Sequence, residues 1–490
     1  MPENTSDNLA KHDHQHGFHR LAVLPTPLRL DADPEATGRG VVIALLDSGF
    51  YPHPDLTKPI NRIIAFEDVT QPGASLQAEA VPHDGDWHGT QTSVVAAGNG
   101  YLSEAAYRAI AWNAEVVLVK VGVQGRITEE NIARGIQWVV ENKDRYAIRV
   151  VSISLGGDDD ISYKQSIADQ AAEEAVSKGL VVVVAAGNAG CTEKHRPIPP
   201  ANSPSVITVG GYDDKNKLGQ RDFALYCSNF GPTTDGIIKP EIIAPAIWIA
   251  APILPHTASY KKAEALSILA AAPDYRLTGL ARGLWQEADL PESIQDEPPE
   301  VIRALVESSL RENKYVATHY QHVDGTSFAA PIVASVIAQM LEVNPNLTPG
   351  AVKHLLISTA DRIREAPIMR QGYGVLNARR AVEQARQERH CLDHEHLRPP
   401  RVEQGKLVFL LHNDRAQRVS LAADFNNWDP THTPLSRDAS GFWRAEIDPP
   451  PPGRYRYKFV IDGQRWMEDP SNGLQEPDGF NGLNSVLNIT

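Results

Sequence analysis

The sequence predicts an α/β domain built on a mostly parallel sheet, followed by a small immunoglobulin-like β-sandwich. Three observations predict it. Near-continuous apolar runs occur at Val41–Leu46, Val116–Val121, Val150–Leu155 and Leu180–Ala186, the pattern of strands buried on both faces. Helical periodicities lie between them, so strands and helices alternate. Beyond about residue 404 the period switches to two, as in Arg454-Tyr455-Arg456-Tyr457-Lys458-Phe459, where aromatics face one way and cations the other.

Residues 1–35 are polar and carry His12, His14, His16 and His19. They read as a flexible tail, with a metal site on the histidines as the alternative. Val41–Leu46 is the first buried strand and ends at Asp47. Ile132, Ile136 and Val140 repeat at four-residue spacing behind Thr128-Glu129-Glu130, which supplies a cap and two acids for a first helical turn. A second helix is expected from about Ser162 to Lys178, stopped by Gly179. After Gly325, the residues Ile332, Val333, Val336, Ile337, Met340 and Leu341 form one apolar helix face. Thr348-Pro349 then supplies a cap and a proline at the first helical position.

This organisation gives a first domain over 36–384, interrupted by an insertion at about 251–321. The insertion has helices around 259–271 and 299–313, with a Pro- and acid-rich joint at 291–299. Residues 385–403, charged, His-rich and ending in Pro399-Pro400, read as a linker. Residues 404–490 form the sandwich, with Asp462-Gly463 as a hairpin turn.

The chain has 490 residues, 42% of them hydrophobic and 22% charged, an ordinary globular composition. Its net charge of -14 and the absence of a basic block argue against a nucleic-acid partner. No run of 18 apolar residues exists, so no membrane partner is expected. The opening Met1-Pro2-Glu3-Asn4-Thr5-Ser6-Asp7 has neither the basic start nor the apolar run of a signal peptide. Cys191, Cys227 and Cys391 form no C-x-x-C pair, which disfavours thiolate zinc. So sparse and odd a set suggests a reducing compartment rather than a disulfide framework. Together these features predict a cytoplasmic protein.

Working residues in such folds collect beyond the carboxyl ends of strands. Asp47-Ser48-Gly49 follows a buried strand, His88-Gly89-Thr90 opens a helix, and Gly325-Thr326-Ser327-Phe328-Ala329-Ala330-Pro331 places a serine at the start of another. Each has a plain reading as a turn acid, a cap or a helix start. In the order Asp, His, Ser they match one chain order of the acyl-transfer triad. A serine hydroxyl needs an adjacent base, histidine can take and return the proton, and a buried carboxylate fixes the histidine tautomer. Asn188, just past Leu180–Ala186, is either a turn residue or an amide donor to a tetrahedral oxyanion.

The region from about 38 to 384 resembles the subtilisin-like serine peptidase (subtilase, S8) family. The matching segments are DSG at 47–49, HPDL at 53–56, HGT at 88–90, SLGG at 154–157, AAGN at 185–188, SNFGPTTDGIIKPEIIAP at 228–245, GTSFAAP at 325–331 and GYGVLNA at 372–378. The resemblance implies a seven-stranded parallel sheet flanked by helices in three layers. It implies Asp47, His88 and Ser327 as the triad and Asn188 as the oxyanion donor. It also implies that Ser154, Leu155 and Gly156 pair with substrate backbone and, with Ala185, Ala186 and Gly187, wall the pocket for the residue before the cut. No cofactor is required; structural calcium is left open at Asp55 in HPDL, whose usual partner loop is not recognisable.

The sequence departs from the family pattern at Gln91, where a second histidine is usual, and at Ala246, where glycine is usual. Only 46 residues precede Asp47, fewer than the family's usual pro-domain. Leu21–Pro27 is the candidate for a short inhibitory segment across the cleft. The insertion exceeds the family's usual segment and reads as surface decoration or as a cover over the cleft.

Residues from about 404 resemble the glycogen-binding CBM48-type module of AMP-activated kinase β subunits and glucan-branching enzymes. The matching pieces are Asp424-Phe425-Asn426-Asn427-Trp428, Tyr457 to Gly463, Trp466, Asp469-Pro470 and Asn484 to Asn488. Carried over, Trp428 and Trp466 stack on glucose rings, Lys458 and Asn484 bond sugar hydroxyls, and Phe480 projects into a helical glucan. The alternative is a docking module with both tryptophans in its core. The function expected is a serine endopeptidase acting on protein or peptide substrates and targeted to glycogen or another α-glucan. A silent protease-fold scaffold is the alternative, and a glucan-active enzyme ranks below both because no paired-carboxylate catalytic domain is recognisable.

Overall fold

The computed structural model describes residues 23–76, 81–83, 85–123, 126–157, 159–219, 223–388, 397–413, 415–438 and 441–489. The tail histidines, Leu21 and Cys391 lie outside them. Strands β1 (Val42–Asp47), β2 (Ile63–Asp68), β3 (Glu115–Lys120), β4 (Ile148–Ile153), β5 (Val181–Ala185), β6 (Ile207–Asp213) and β7 (Ile242–Pro245) pair in parallel, in the order β7-β6-β5-β4-β1-β3-β2. A short antiparallel strand, Ala224–Leu225, flanks β6.

The apolar runs are continuous because both faces are covered. Ile43, Leu45, Leu118 and Val183 point to one side, onto α1 (Trp87–Ala97) and later helices. Val42, Ala44, Val119 and Val184 point to the other, onto α2 (Glu129–Asn142) and α3 (Ile167–Ser177). The Thr128 hydroxyl caps α2 by accepting the Asn131 N–H at 3.3 Å. The second helix begins later than its periodicity suggested. Ser166, not Ser162, is its cap, and Ser162 instead donates to Asp235 in a turn.

Between β8 (Ile249–Pro252) and β9 (Tyr315–Ala317) with β10 (Tyr320–Val323), the insertion folds as α4 (Ala258–Ala271), α5 (Asp274–Leu284) and α6 (Pro299–Glu312) around Leu266, Leu277, Ile302 and Val306. The middle helix was not anticipated, because Gly279, Gly283 and two arginines interrupt its apolar period. Helix α7 (Thr326–Val343) then crosses beneath the sheet and is buried along most of its length. It is long and apolar enough to cross a membrane, but 83% of it is buried in the fold. Helices α8 (Pro349–Thr359) and α9 (Ala378–Gln387) complete that layer.

Two expectations are corrected here. The tail is not flexible through residue 35. Val23 is buried against Tyr107, Val316 and Tyr320, the Leu24 N–H donates to Asn216 Oδ1 at 2.8 Å, and Arg29 holds Asp214 at 2.7 and 2.9 Å. The described part of the candidate inhibitory segment is thus packed against residues that are not those expected to line the cleft. The linker is also shorter than 385–403: α9 runs to Gln387, and Arg401–Glu403 pairs with the sandwich.

The sandwich has two antiparallel sheets. One contains β11 (Lys406–His412) and β13 (Phe442–Ile447). The other joins β12 (Val419–Ala423), β14 (Gly453–Ile461), β15 (Arg465–Met467), β16 (Gln475–Pro477) and β17 (Leu483–Ile489). Phe409, Trp443, Tyr457 and Phe459 fill the space between them. Asp462 and Gly463 both have positive φ, 52° and 73°, as a tight hairpin turn requires. The sandwich is docked on the first domain. The Ile238 N–H donates to Gly473 O at 3.1 Å, Gln475 Nε2 to the Tyr373 hydroxyl at 3.0 Å, and Ile238, Ile368 and Leu483 pack together.

Candidate active site and candidate sugar face

Parallel pairing places the strand ends side by side. Ile153 of β4 faces Val184 of β5, so the turns that follow, Ser154–Gly156 and Ala185–Asn188, emerge as neighbours. Asp47 ends β1 next to β4. The carboxylate of Asp47 is 1% exposed and accepts from His88 Nδ1 at 2.7 Å, from the Ser48 N–H at 2.7 Å and from the Thr92 hydroxyl at 2.9 Å. Thr92 lies four residues after His88, so both side chains leave α1 on one face. That spacing is visible in the sequence, but its meaning depends on Asp47, which lies 45 residues away. Gly89 is required between them, because a Cβ there would lie 2.1 Å from Gly49 O.

His88 is 21% exposed at its side chain, with Nε2 left for a partner. Burial opposes its protonation, but the Asp47 charge and hydrogen bond outweigh burial and raise the pKa above 6.5. Its ring lies 5.8 Å from that of Phe328, the residue after Ser327. Ser327 does not hydrogen-bond to His88 in this structure. Its hydroxyl turns to the Ser154 carbonyl at 3.4 Å, the outer limit for such a bond. Unliganded sites often hold this contact open.

Asn188 is oriented unambiguously. The backbone N–H of Thr326 can only donate, so the atom 2.9 Å from it is Oδ1, which also accepts the Thr326 hydroxyl at 3.1 Å. Nδ2 therefore points elsewhere, and like the Ser327 N–H it has no acceptor among the described residues. Thr326, within the GTSFAAP segment, also accepts the Gly187 N–H at 3.1 Å. Gly187 has φ 100°, and a Cβ there would lie 2.9 Å from the Asn229 side chain. Asn229 holds the turn by accepting the Ala189 N–H at 2.7 Å and donating to Arg196 O at 2.7 Å.

Two of the three cysteines are paired, which their sparse spacing did not lead one to expect. Cys191 and Cys227 form a disulfide that ties the segment after Asn188 to the Ser228–Asn229 segment. A sequence separation of 36 concealed the pairing.

The two departures from the family pattern are absorbed by packing. Gln91 Nε2 donates to Pro252 O at 3.0 Å, tying α1 to the insertion's first strand. Ala246 is buried, and its carbonyl accepts the Gly325 N–H at 2.8 Å. Asp55 is a clamp: its carboxylate accepts the Tyr320 hydroxyl at 2.7 Å and the Leu102 N–H at 3.1 Å. Burial pushes neighbouring His53 down to about 4. Both carboxylate oxygens of Asp55 are thus engaged by donors within the fold, Oδ1 by the Leu102 N–H and Oδ2 by the Tyr320 hydroxyl. Among the described residues no group of three His, Cys, Asp or Glu is placed to hold a metal.

On the sandwich, the Trp428 and Trp466 rings lie 6.4 Å apart at 28°, and Trp466 is 44% exposed. Trp428 is oriented by its Nε1–H to Asp424 at 3.0 Å. Neither ring belongs to the core of the sandwich. Lys458 and Asn484 flank the inward Tyr457–Ser485 pair and so share the sheet face opposite the core, where Lys458 is half-buried and Asn484 is only 7% exposed. Lys458 Nζ is held by Asp478 at 2.6 Å, and Phe480, in the same turn as Asp478, is 92% exposed.

The Subtilase family (Peptidase_S8) matches residues 38–374, and Carbohydrate-binding module 48 (Isoamylase N-terminal domain) matches 396–475, a range that stops before Phe480 and Asn484. Serine protease AprX of Bacillus subtilis is 33% identical over 71% of this chain and 67% of its own. Subtilisin BL of Lederbergia lenta is 31% identical over 41% of this chain and 65% of its own. The solved structure of fervidolysin from Fervidobacterium pennivorans, a keratinolytic enzyme related to subtilisin, has a TM-score of 0.49 at 21% identity, covering 87% of this chain and 53% of its own. The chain belongs to the subtilase family of serine proteases and carries a carbohydrate-binding module of family 48 behind the protease domain.

Proposed function

We propose that the chain is a serine endopeptidase in which Ser327 is the nucleophile, His88 the base and Asp47 the group that orients it. The observation that carries this is the 2.7 Å contact between Asp47 and His88 Nδ1, which leaves Nε2 facing outward. The Ser327 hydroxyl swings from Ser154 to His88 and gives its proton to Nε2 as Oγ attacks the scissile carbonyl. Asn188 Nδ2 and the Ser327 N–H donate to the oxyanion. His88 returns the proton to the leaving amine, and the acyl-enzyme is hydrolysed by water through the same base. Ser154–Gly156 and Ala185–Gly187 hold the peptide on either side of the residue before the cut.

A serine-reactive fluorophosphonate tests this. The wild-type chain should label and hydrolyse peptides, and Ser327→Ala should do neither. Absence of labelling in the wild-type chain would support a silent scaffold instead.

The second half of the reading is that Trp428, Trp466, Lys458, Asn484 and Phe480 bind an α-glucan such as glycogen and localise the peptidase to it. Paired rings suit the C–H faces of glucose, and the polar tips suit its hydroxyls. Co-sedimentation with glycogen should be lost in Trp428→Ala and Trp466→Ala. Retention in both would remove the glucan reading and leave the peptidase reading intact.

A further inference from the structure

A cavity of about 550 Å³ lies where the sandwich meets α8 and α9, with walls from both domains. Its volume is in the range of small-molecule sites. Its charge is unusual for this chain. Three guanidinium groups, Arg362, Arg415 and Arg465, face two carboxylates, Glu468 and Glu388, in a protein whose net charge is -14. Arg362 is already ion-paired with Glu468. Arg415 and Arg465 have no carboxylate partner among the described residues. Arg465 also lies close enough to Arg362 to oppose its charge. Like charges gathered in one cavity cost free energy until an anion enters.

One wall of the cavity is Trp466, the same ring that stacks with Trp428 outside. Gln384 and Gln387 of α9 add amides that can donate to and accept from hydroxyls. We propose that this cavity is a binding site for a sugar phosphate monoester, with Arg415 and Arg465 taking the phosphate and Trp466 lying along the pyranose. Guanidinium forks match phosphate oxygens in charge and in geometry. The aromatic ring and the amides select a sugar over a bare anion. A neutral glucan alone leaves the two free cations uncompensated. Because the walls belong to both domains, an occupant also braces the sandwich against the peptidase helices.

Calorimetric titration of the full chain with glucose 1-phosphate, glucose 6-phosphate, glucose and inorganic phosphate tests this. At least one ester should bind saturably, at least tenfold tighter than glucose and tenfold tighter than phosphate, and more weakly as salt rises. Arg415→Gln with Arg465→Gln should weaken that ester at least tenfold; both side chains are exposed and have no carboxylate partner among the described residues, so the fold should survive, as a melting curve will verify. Trp466→Ala gives a second reading and should weaken the ester but not phosphate. The proposal stands apart from the glycogen reading, because Trp428→Ala should abolish glycogen co-sedimentation yet leave ester binding within twofold. Esters that bind no tighter than glucose, or unchanged binding in the double variant, overturn the site. Phosphate binding as tight as the esters overturns its assignment to a sugar.

Discussion

The Ser154 hydroxyl donates to the Ser327 carbonyl at 2.8 Å, and Pro331 explains why that carbonyl is free to accept. In an α-helix the carbonyl of residue 327 would be taken by the N–H of residue 331, but proline has none. The proline inside α7 therefore leaves an acceptor at the turn that carries the candidate nucleophile, and a side chain from the end of β4 fills it. The prediction is that Ser154→Ala costs about 1–3 kcal/mol of stability, the penalty of an unsatisfied buried group. Pro331→Ala restores an N–H and should recover part of that loss. Thermal or denaturant melts of the four members of this cycle will show a coupling; strictly additive changes would count against the link.

Asn188 is held by its oxygen and offers its nitrogen, so its replacement should affect the oxyanion and little else. Asn188→Ala should lower kcat for a peptide substrate by about 100- to 1000-fold, with KM within a few-fold. Thr326→Val removes one of the two donors that hold Oδ1 and keeps the backbone N–H, so the amide should be held less firmly and the loss in kcat should be smaller. Equal losses in KM and kcat for Asn188→Ala would place the residue in substrate binding instead.

The pH dependence follows from His88. Its pKa is raised because the Asp47 carboxylate outweighs burial. The base must be neutral to act, so kcat/KM should rise with pH through an inflection above 6.5. The stability sign is opposite. A pKa raised on folding contributes stability that is fully present below the unfolded value and is lost as pH climbs through the folded one. Asp47→Asn removes the charge and leaves the burial, so the inflection should fall below the wild-type value, with a large loss of rate. An NMR titration of the His88 ring reads the same shift without turnover.

The residues that break a pattern were the legible ones. Asp47, His88, Asn188 and Ser327 each interrupt an apolar run or open a helix, and the structure gathers them at one end of the sheet. What stayed hidden depends on distance in space. Thr92 acts on Asp47 from another element, Asn229 reaches the Gly187 turn across 40 residues, and Pro331 matters only once Ser154 is placed. The sandwich was legible from its period of two, but its docking was not. Tyr373, Arg362 and Ile238 belong to loops and short strands with no periodicity, so nothing in the chain announced that they meet Gln475, Glu468 and Gly473.

The disulfide gives a prediction of its own. Cys191 and Cys227 close a loop of sequence separation 36 beside the turn that carries Asn188. Chain-entropy arguments give about 3–4 kcal/mol for a loop of that length. Reduction, or Cys191→Ser with Cys227→Ser, should therefore lower the melting temperature clearly. Because Asn229 still holds Gly187 and Ala189, kcat should fall less than in Asn188→Ala. A melting curve unchanged by dithiothreitol, with both thiols then titratable, would set the bond's contribution near zero.

Two contacts across the domain boundary should respond very differently to mutation. Gln475 Nε2 donates to the Tyr373 hydroxyl but also to Asn472 O at 2.9 Å, so Tyr373→Phe leaves it a partner and should cost under about 1 kcal/mol. Glu468 is 4% exposed and relies on Arg362. Arg362→Ala leaves its charge without that partner, and the cost should reach about 2–4 kcal/mol even though the arginine itself is partly solvated. Arg362→Ala with Glu468→Gln should recover much of that loss, since the remaining amide carries no charge. Chemical denaturation of the full chain, followed by tryptophan emission, will order the three variants. A loss for Tyr373→Phe as large as for Arg362→Ala would shift the strength of the docking from the ion pair to the buried tyrosine.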